Sequence, residues 1–321
     1  FIFEWLPIFT EMSRPRWSQS ASILLFLGDK ICMVRRSGSS RFMPHALVFP
    51  GGKLEEDDEK WAREYLAGRT NRCCCSRCNP GDVTDLAFRR CALRELKEET
   101  SIDLDVSEAV SRMVYLCQFQ TPDYEAAKTK KGGFITRFYV YALESDSRTA
   151  QSVRAAAISD GRETTQLVWR SPSQILKEYE AGGGIMLLPP PQWHTLTMLQ
   201  NAASLGPEAI AARARRLSRS YFRYPIKPRP IPGISTPSRI ILAYPGDCQH
   251  DIYKPMDLKW KFRFTYHTGK PSKDWRPNSV EISPELAAML ESEDVPEFCG
   301  LHCNPHRRAY TSLVVDRRFC E

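Results

Sequence analysis

"RELKEETSI", residues 94–102, ends a run free of Pro and Gly, "DVTDLAFRRCALRELKEET" (82–100). The run predicts a helix. Leu86, Ala92, Leu93 and Leu96 fall on one stripe, the side that should face a core. Glu98 and Glu99 follow Glu95 by three and four residues and share another face, with Arg94 one turn before Glu98. Like charges at these spacings destabilise a helix by about 0.2–0.5 kcal/mol per pair unless something neutralises them. A hard divalent cation does so, and magnesium favours a few carboxylates together with substrate phosphates. Taken alone, the triplet reads more often as a solvated acidic face. Its surroundings decide.

Working outward, "HALVFPGG" (45–52) reads as a strand that ends in a Gly-Gly turn. Before it, "ASILLFLGD" and "KICMVRR" predict two strands joined at Gly28-Asp29. After the acidic helix, "RMVYLCQFQ", "FITRFYVYAL" and "ETTQLVW" are rich in β-branched and aromatic residues and predict three more. Ser171-Pro172-Ser173 is a helix-start signal, and "LPPPQWHTLTMLQNAASL" starts a helix behind a proline run. This alternation over about residues 20–205 predicts an α/β fold with a mixed sheet and helices on both faces. Beyond it, residues 206–237 read as a basic, Pro-rich linker and 238–321 as a C-terminal extension, with strands in "RIILAYPGD" and "LKWKFRFTY". Residues 1–17 read as a separate N-terminal segment, with Met12 as a natural start.

Composition excludes several classes. The chain of 321 residues has no apolar run approaching the roughly 18–20 needed to span a bilayer. Eleven cysteines, odd in number and irregularly spaced, do not make a disulfide scaffold. The net charge of +7 is local: residues 211–230 hold seven Arg/Lys and no acid, and without them 45 − 7 = 38 basic residues face 38 acidic ones. That run reads as a solvated helix end and linker, with contact to RNA or an anionic membrane as the alternative.

"FPGGKLE" and "RELKEETSI" together resemble the Nudix box, G-x5-E-x7-R-E-U-x-E-E-x-G-U. Gly52 takes the place of the first Gly, and Arg94, Glu95, Leu96, Glu98, Glu99 and Ile102 fit the second half. Ser101 stands where the box has Gly, and about 28 extra residues precede the helix. Glu55 and Asp85 are the stand-ins considered for the first-half Glu. "RRSGSSRFMPHALVFPGG" (35–52) is similar to the coenzyme A signature of Nudix enzymes, R-S-x3-R-x3-G-x3-F-P-G-G. Arg36, Ser37, Arg41, Phe49, Pro50, Gly51 and Gly52 are in register, and His45 replaces the Gly. The long insert, placed at about 56–80 and read as a surface excursion, together with "RFMP" before the box and "LPPPQWHTLTMLQNAASL" after it, resembles the acyl-coenzyme A diphosphatase type of the family, called Nudix motif nineteen.

The resemblance implies an α/β/α sandwich over residues 18–205 and a diphosphatase that cleaves coenzyme A and its acyl esters. Its cofactor is Mg2+ or Mn2+, held by Glu95 and Glu99, with Glu98 as ligand or base and Arg94 steadying it. Glu163 is a second candidate base. Arg36, Ser37, Arg41, Gly51 and Gly52 are the implied substrate contacts; guanidinium forks suit phosphates. Peroxisome or mitochondrion is the implied location, although the chain ends "FCE" rather than in a Ser-Lys-Leu tail. The alternatives are hydrolysis of ADP-ribose, NADH or capped RNA, and a catalytically inactive binding module. The oligomeric state is open.

Other clusters read more plainly. Cys73, Cys74, Cys75 and Cys78 have no second pair at zinc spacing and read as free thiols. Cys299, His302, Cys303 and His306 offer four zinc donors, but eight residues make tetrahedral closure awkward. His45 and His194 read as packing residues.

Overall fold

The computed structural model describes residues 17–40, 43–70, 82–123, 126, 132–157, 164–181, 187–219, 225–231, 233, 235, 239–245, 247–250, 261–267, 280–285, 288, 298–299 and 313–314. Strand β1 (Trp17–Leu27) carries the apolar run Ile23–Leu27 and is buried on both faces, so it sits at the centre of a sheet. Along its full length it pairs in parallel with β6 (Gly133–Leu143), which pairs antiparallel with β5 (Val114–Gln120). On its other edge β1 meets β2 (Lys30–Arg36) only at Phe26–Ile31 and Leu27–Lys30. The two strands then part. On the edges that part, β3 (Leu47–Val48) pairs with Val34 and Arg35, and β4 (Gly51–Lys53) with Ser20, Ala21 and Ser22. Strand β7 (Thr164–Arg170) closes the far edge of β2. The fork brings the Gly-Gly pair to the middle of the sheet.

Side-chain alternation along β1 divides the core. Ala21, Ile23, Leu25 and Leu27 pack with α2 (Val83–Thr100), α3 (Val106–Arg112) and α4 (Arg148–Ala156). Leu24 and Phe26 share a cluster with α5 (Pro172–Glu180), α6 (Pro190–Ala203) and α7 (Pro207–Arg219). Each apolar side chain so buried contributes about 1.5–3 kcal/mol. The predicted mixed sheet with helices on both faces is what the chain forms. Ser171 caps α5 in a capping box with Gln174, as the Ser-Pro-Ser signal implied.

Two expectations need correction. The insert is not a plain surface excursion, because its first part is a packed helix, α1 (Glu56–Thr70), with Asp58, Ala62 and Leu66 buried and Trp61 and Tyr65 against the α2 core. Residues 71–81 lie outside the described residues. The basic run, read as a solvated helix end and linker, does include a helix end but is not simply solvated. It begins inside α7, where Arg213 is buried and donates to the Met198 carbonyl at 3.4 Å, and Lys227 and Arg229 pair with Asp123 at 3.1 and 3.4 Å. Ile226 bridges to Phe119, exchanging backbone hydrogen bonds with Gln118 and Gln120 at 2.7 and 2.9 Å. From there β8 (Arg229–Pro230), β9 (Arg239–Ala243), β10 (Phe262–His267) and β11 (Val280–Ile282) form a second sheet. Its Ile240, Leu242, Tyr244 and Phe262 join the same core as Leu24 and Phe26. Strands β12 (Phe298–Cys299) and β13 (Leu313–Val314) pair with each other. No helix among the described residues is long and apolar enough to cross a membrane.

Candidate active site

Helix α2 starts at Asp82, whose side chain accepts from the Thr84 N–H, and ends at Ser101 in the left-handed conformation, φ 58°. Phe88, Cys91, Ala92, Leu93 and Leu96 anchor one side in the core. The acidic side faces β4. The Glu99 carboxylate accepts from the Gly51 N–H at 3.1 Å, and Glu99 is only 6% exposed. Glu95 lies against Gly52 so closely that a Cβ there would sit 2.2 Å from its Oε1. A Cβ on Gly51 would meet the Ala21 carbonyl at 2.3 Å. Both glycines are therefore required by close approach: Gly51 to the strand beside it, Gly52 to the carboxylate above it.

Arg94 knits the acids together. Its Nη1 donates to Glu95 and to Glu98, each at 3.0 Å, and its Nη2 to the Lys53 carbonyl at 2.8 Å and to Asp58 at 3.1 Å. The Nε adds a second bond to Asp58 at 3.3 Å. Burial alone would favour loss of its proton, but the Asp58 hydrogen bonds and the Glu95 and Asp58 charges outweigh it and hold the guanidinium firmly protonated. Cys91 is pushed well above the ordinary thiol range, first by burial and then by Asp58, so it stays a thiol and donates to the Lys53 carbonyl at 3.2 Å. Arg94 and Cys91 thus fix the backbone that follows the Gly-Gly pair.

Asp58 is the residue the spacing argument overlooked. It follows Gly52 by six positions, the place of the first-half Glu in the box, and the inserted length comes after it. Neither expected stand-in takes that role. Glu55 is 59% exposed and 4.0 Å from Arg94. Asp85 sits three turns earlier on α2, bonded to Arg89 at 2.6 Å and to the Tyr139 hydroxyl at 2.8 Å. Registering an Asp for the Glu would have found Asp58 from sequence.

Arg36 ends β2, where it pairs with Thr164 of β7, and the Thr164 hydroxyl donates to the Glu99 carbonyl at 3.2 Å. Ser37 follows, its hydroxyl 2.8 Å from that of Ser39. The structure therefore brings Arg94, Glu95, Glu98, Glu99, Gly51 and Gly52 together, with Arg36 and Ser37 one strand away. Arg41, Glu163, Cys73, Cys74, Cys75, Cys78, His302, Cys303 and His306 lie outside the described residues, and of Cys299 only the strand is described. His194 is a packing residue: it is fully buried, with Tyr244 and Phe262 at 5.0 Å and Phe119 at 5.7 Å between ring centres. His45, by contrast, is exposed.

The carboxylates of α2 are hard oxygen donors of the kind Mg2+ and Mn2+ take, and two of them already meet the Gly-Gly strand. Among the described residues no three His, Cys, Asp or Glu converge closely enough to enclose an ion. Glu98, 56% exposed and bonded to Arg94, would complete such a set by leaving that guanidinium.

No family model matches the chain. Putative nudix hydrolase 7 of Caenorhabditis elegans is 25% identical over 261 residues, covering 72% of this chain and 74% of that protein. Two acyl-coenzyme A diphosphatases named NUDT19 are also similar. The Xenopus laevis protein is 23% identical over 241 residues, 55% of this chain and 61% of its own length. The Gallus gallus protein is 26% identical over 275 residues, 59% of this chain and 69% of its own. A NUDIX hydrolase structure from Alicyclobacillus acidocaldarius superposes with a TM-score of 0.46 at 18% identity, over 62% of this chain and 97% of that one. With the box residues of both halves gathered around Arg94 and these curated relatives alongside, the chain resembles the Nudix hydrolase superfamily.

Proposed function

We propose that the chain hydrolyses the diphosphate of coenzyme A and of acyl-coenzyme A, giving 3′,5′-ADP and (acyl-)4′-phosphopantetheine. The observation that supports this reading is the Arg36–Thr164–Glu99 connection, which sets the start of the coenzyme A signature beside the acidic helix. The NUDT19 relatives, named as acyl-coenzyme A diphosphatases, agree with it.

Glu95 and Glu99 would hold a Mg2+ or Mn2+ ion, joined by Glu98. Such an ion polarises phosphoryl oxygens and lowers the pKa of a bound water. The chain's own contribution is positional. Gly51 orients Glu99 through its N–H, Gly52 leaves room for Glu95, and Arg94 keeps the carboxylates on one side of α2. Arg36, Ser37 and Arg41 would engage substrate phosphates, and Glu98 or Glu163 would take the proton of the attacking water.

A product assay across coenzyme A, an acyl-coenzyme A, ADP-ribose, NADH and capped RNA, with and without Mg2+, tests the reading. Metal-dependent release of 3′,5′-ADP is expected. Cleavage of ADP-ribose, NADH or capped RNA with coenzyme A untouched would replace the substrate, and no cleavage of any would indicate a binding module.

A further inference from the structure

Three non-glycine residues among those described adopt positive φ, and two of them, Met43 (46°) and His45 (63°), lie within three residues of each other between β2 and β3. Left-handed backbone is unfavourable for a residue with a Cβ, and it persists only where the surroundings impose it. Here they do. The Arg35 guanidinium donates to the His45 carbonyl at 3.3 Å and to Gln166 of β7 at 3.2 Å, and the Arg36 N–H donates to the Ala46 carbonyl at 2.9 Å. The imidazole lies over Gly38, where an added Cβ would stand 2.6 Å from its Cε1 and 2.9 Å from its Nε2.

The ring is exposed, so the fold gains little apolar burial from it, while a glycine would fit the backbone better. What the loop achieves is to seat the imidazole over Gly38, between Ser37 and Ser39, whose hydroxyls lie 2.8 Å apart, while the Arg35 guanidinium holds the His45 carbonyl. A cationic, hydroxyl-rich rim of this kind suits an oxyanion. We propose that His45 is a substrate-binding residue whose ring N–H donates to a phosphate of the nucleotide, with Gly38 as the floor that seats the ring. This rests on the reading above, that the loop after β2 contacts a nucleotide substrate.

Titration calorimetry in Mg2+ buffer with 3′,5′-ADP and with AMP, neither of which has a diphosphate to cleave, tests it alongside thermal melts. His45→Gly should raise Tm, because the backbone strain is relieved, yet bind 3′,5′-ADP about tenfold more weakly, the loss of one hydrogen bond to a charged group. Gly38→Ala, whose methyl displaces the ring, should weaken binding in the same direction. A purely structural His45 predicts the higher Tm with unchanged affinity, and that result overturns the proposal. If the wild type binds AMP but not 3′,5′-ADP, the coenzyme A reading falls and His45 is judged on AMP, where a tenfold loss supports it and equal affinity overturns it. Binding of neither by the wild type overturns both.

Discussion

Asp58 and Arg94 face each other across α1 and α2 through two hydrogen bonds, at 3.1 and 3.3 Å, with Asp58 1% exposed. This bidentate pair joins the inserted helix to the acidic one. Removing Asp58 deletes two hydrogen bonds to a charged group, about 1.5–3 kcal/mol each, while Glu95 and Glu98 still balance the Arg94 charge. Asp58→Ala should therefore lose stability on that order in urea unfolding and lose hydrolysis as Arg94 drifts from Glu95. Asp58→Glu, which restores the residue of the box, should retain both. An Asp58→Ala protein of native stability would mean that α1 is dispensable.

That pair also shows where the sequence was legible. The strands β1, β2, β3, β5, β6 and β7 and the helix starts at Ser171 and Pro190 follow from side-chain pattern, and the approach of the Gly-Gly pair to the acidic helix from the family resemblance; Gly51–Lys53, read as a turn, is instead strand β4. Helix α1 was missed because the extra length between the half-motifs drew attention away from Asp58, six residues past Gly52. The role of Ile226 was missed for another reason. It enters the sheet through backbone hydrogen bonds from a Pro-rich segment, and no side-chain pattern marks such pairing.

Ser101 occupies the place of the second glycine of the box, and the backbone has not changed to suit it: φ is 58° and its N–H caps the Lys97 carbonyl at 2.9 Å. A left-handed cap at this position favours glycine by about 1 kcal/mol. Ser101→Gly should stabilise the protein by that amount in urea unfolding without changing turnover. Ser101→Val should destabilise it.

The two glycines of β4 should separate fold from site. The Cβ of Gly51→Ala would strike the Ala21 backbone at 2.3 Å, which cannot yield, so this variant should be strongly destabilised. The three atoms nearest the Cβ of Gly52→Ala all belong to the carboxylate end of Glu95, a side chain that can turn away. Its melting temperature should stay near wild type while hydrolysis falls by an order of magnitude or more. Equal activity in Gly52→Ala would remove Glu95 from the site.

His194 makes stability depend on pH. Burial among Phe119, Tyr244 and Phe262 lowers its pKa from 6.5 to about 3. The folded state therefore keeps the ring neutral over a range in which the unfolded chain protonates it. Unfolding then takes up a proton, and stability falls as the solution is acidified. The contribution is fully present above pH 6.5, declines as pH falls from about 6.5 towards 3, and does so by at most ~1.4 kcal/mol per pH unit. His194→Phe keeps an aromatic ring in the same stack and has no proton to gain. Its urea-unfolding free energy should vary less between pH 7 and pH 4 than that of the wild type, with the difference growing towards the acid end. Every other titratable group is common to the two proteins, so the comparison isolates the imidazole. Parallel pH profiles for the two proteins would show that the ring is protonated inside the fold, and that the second sheet packs on it less tightly than the 5.0 Å stack indicates.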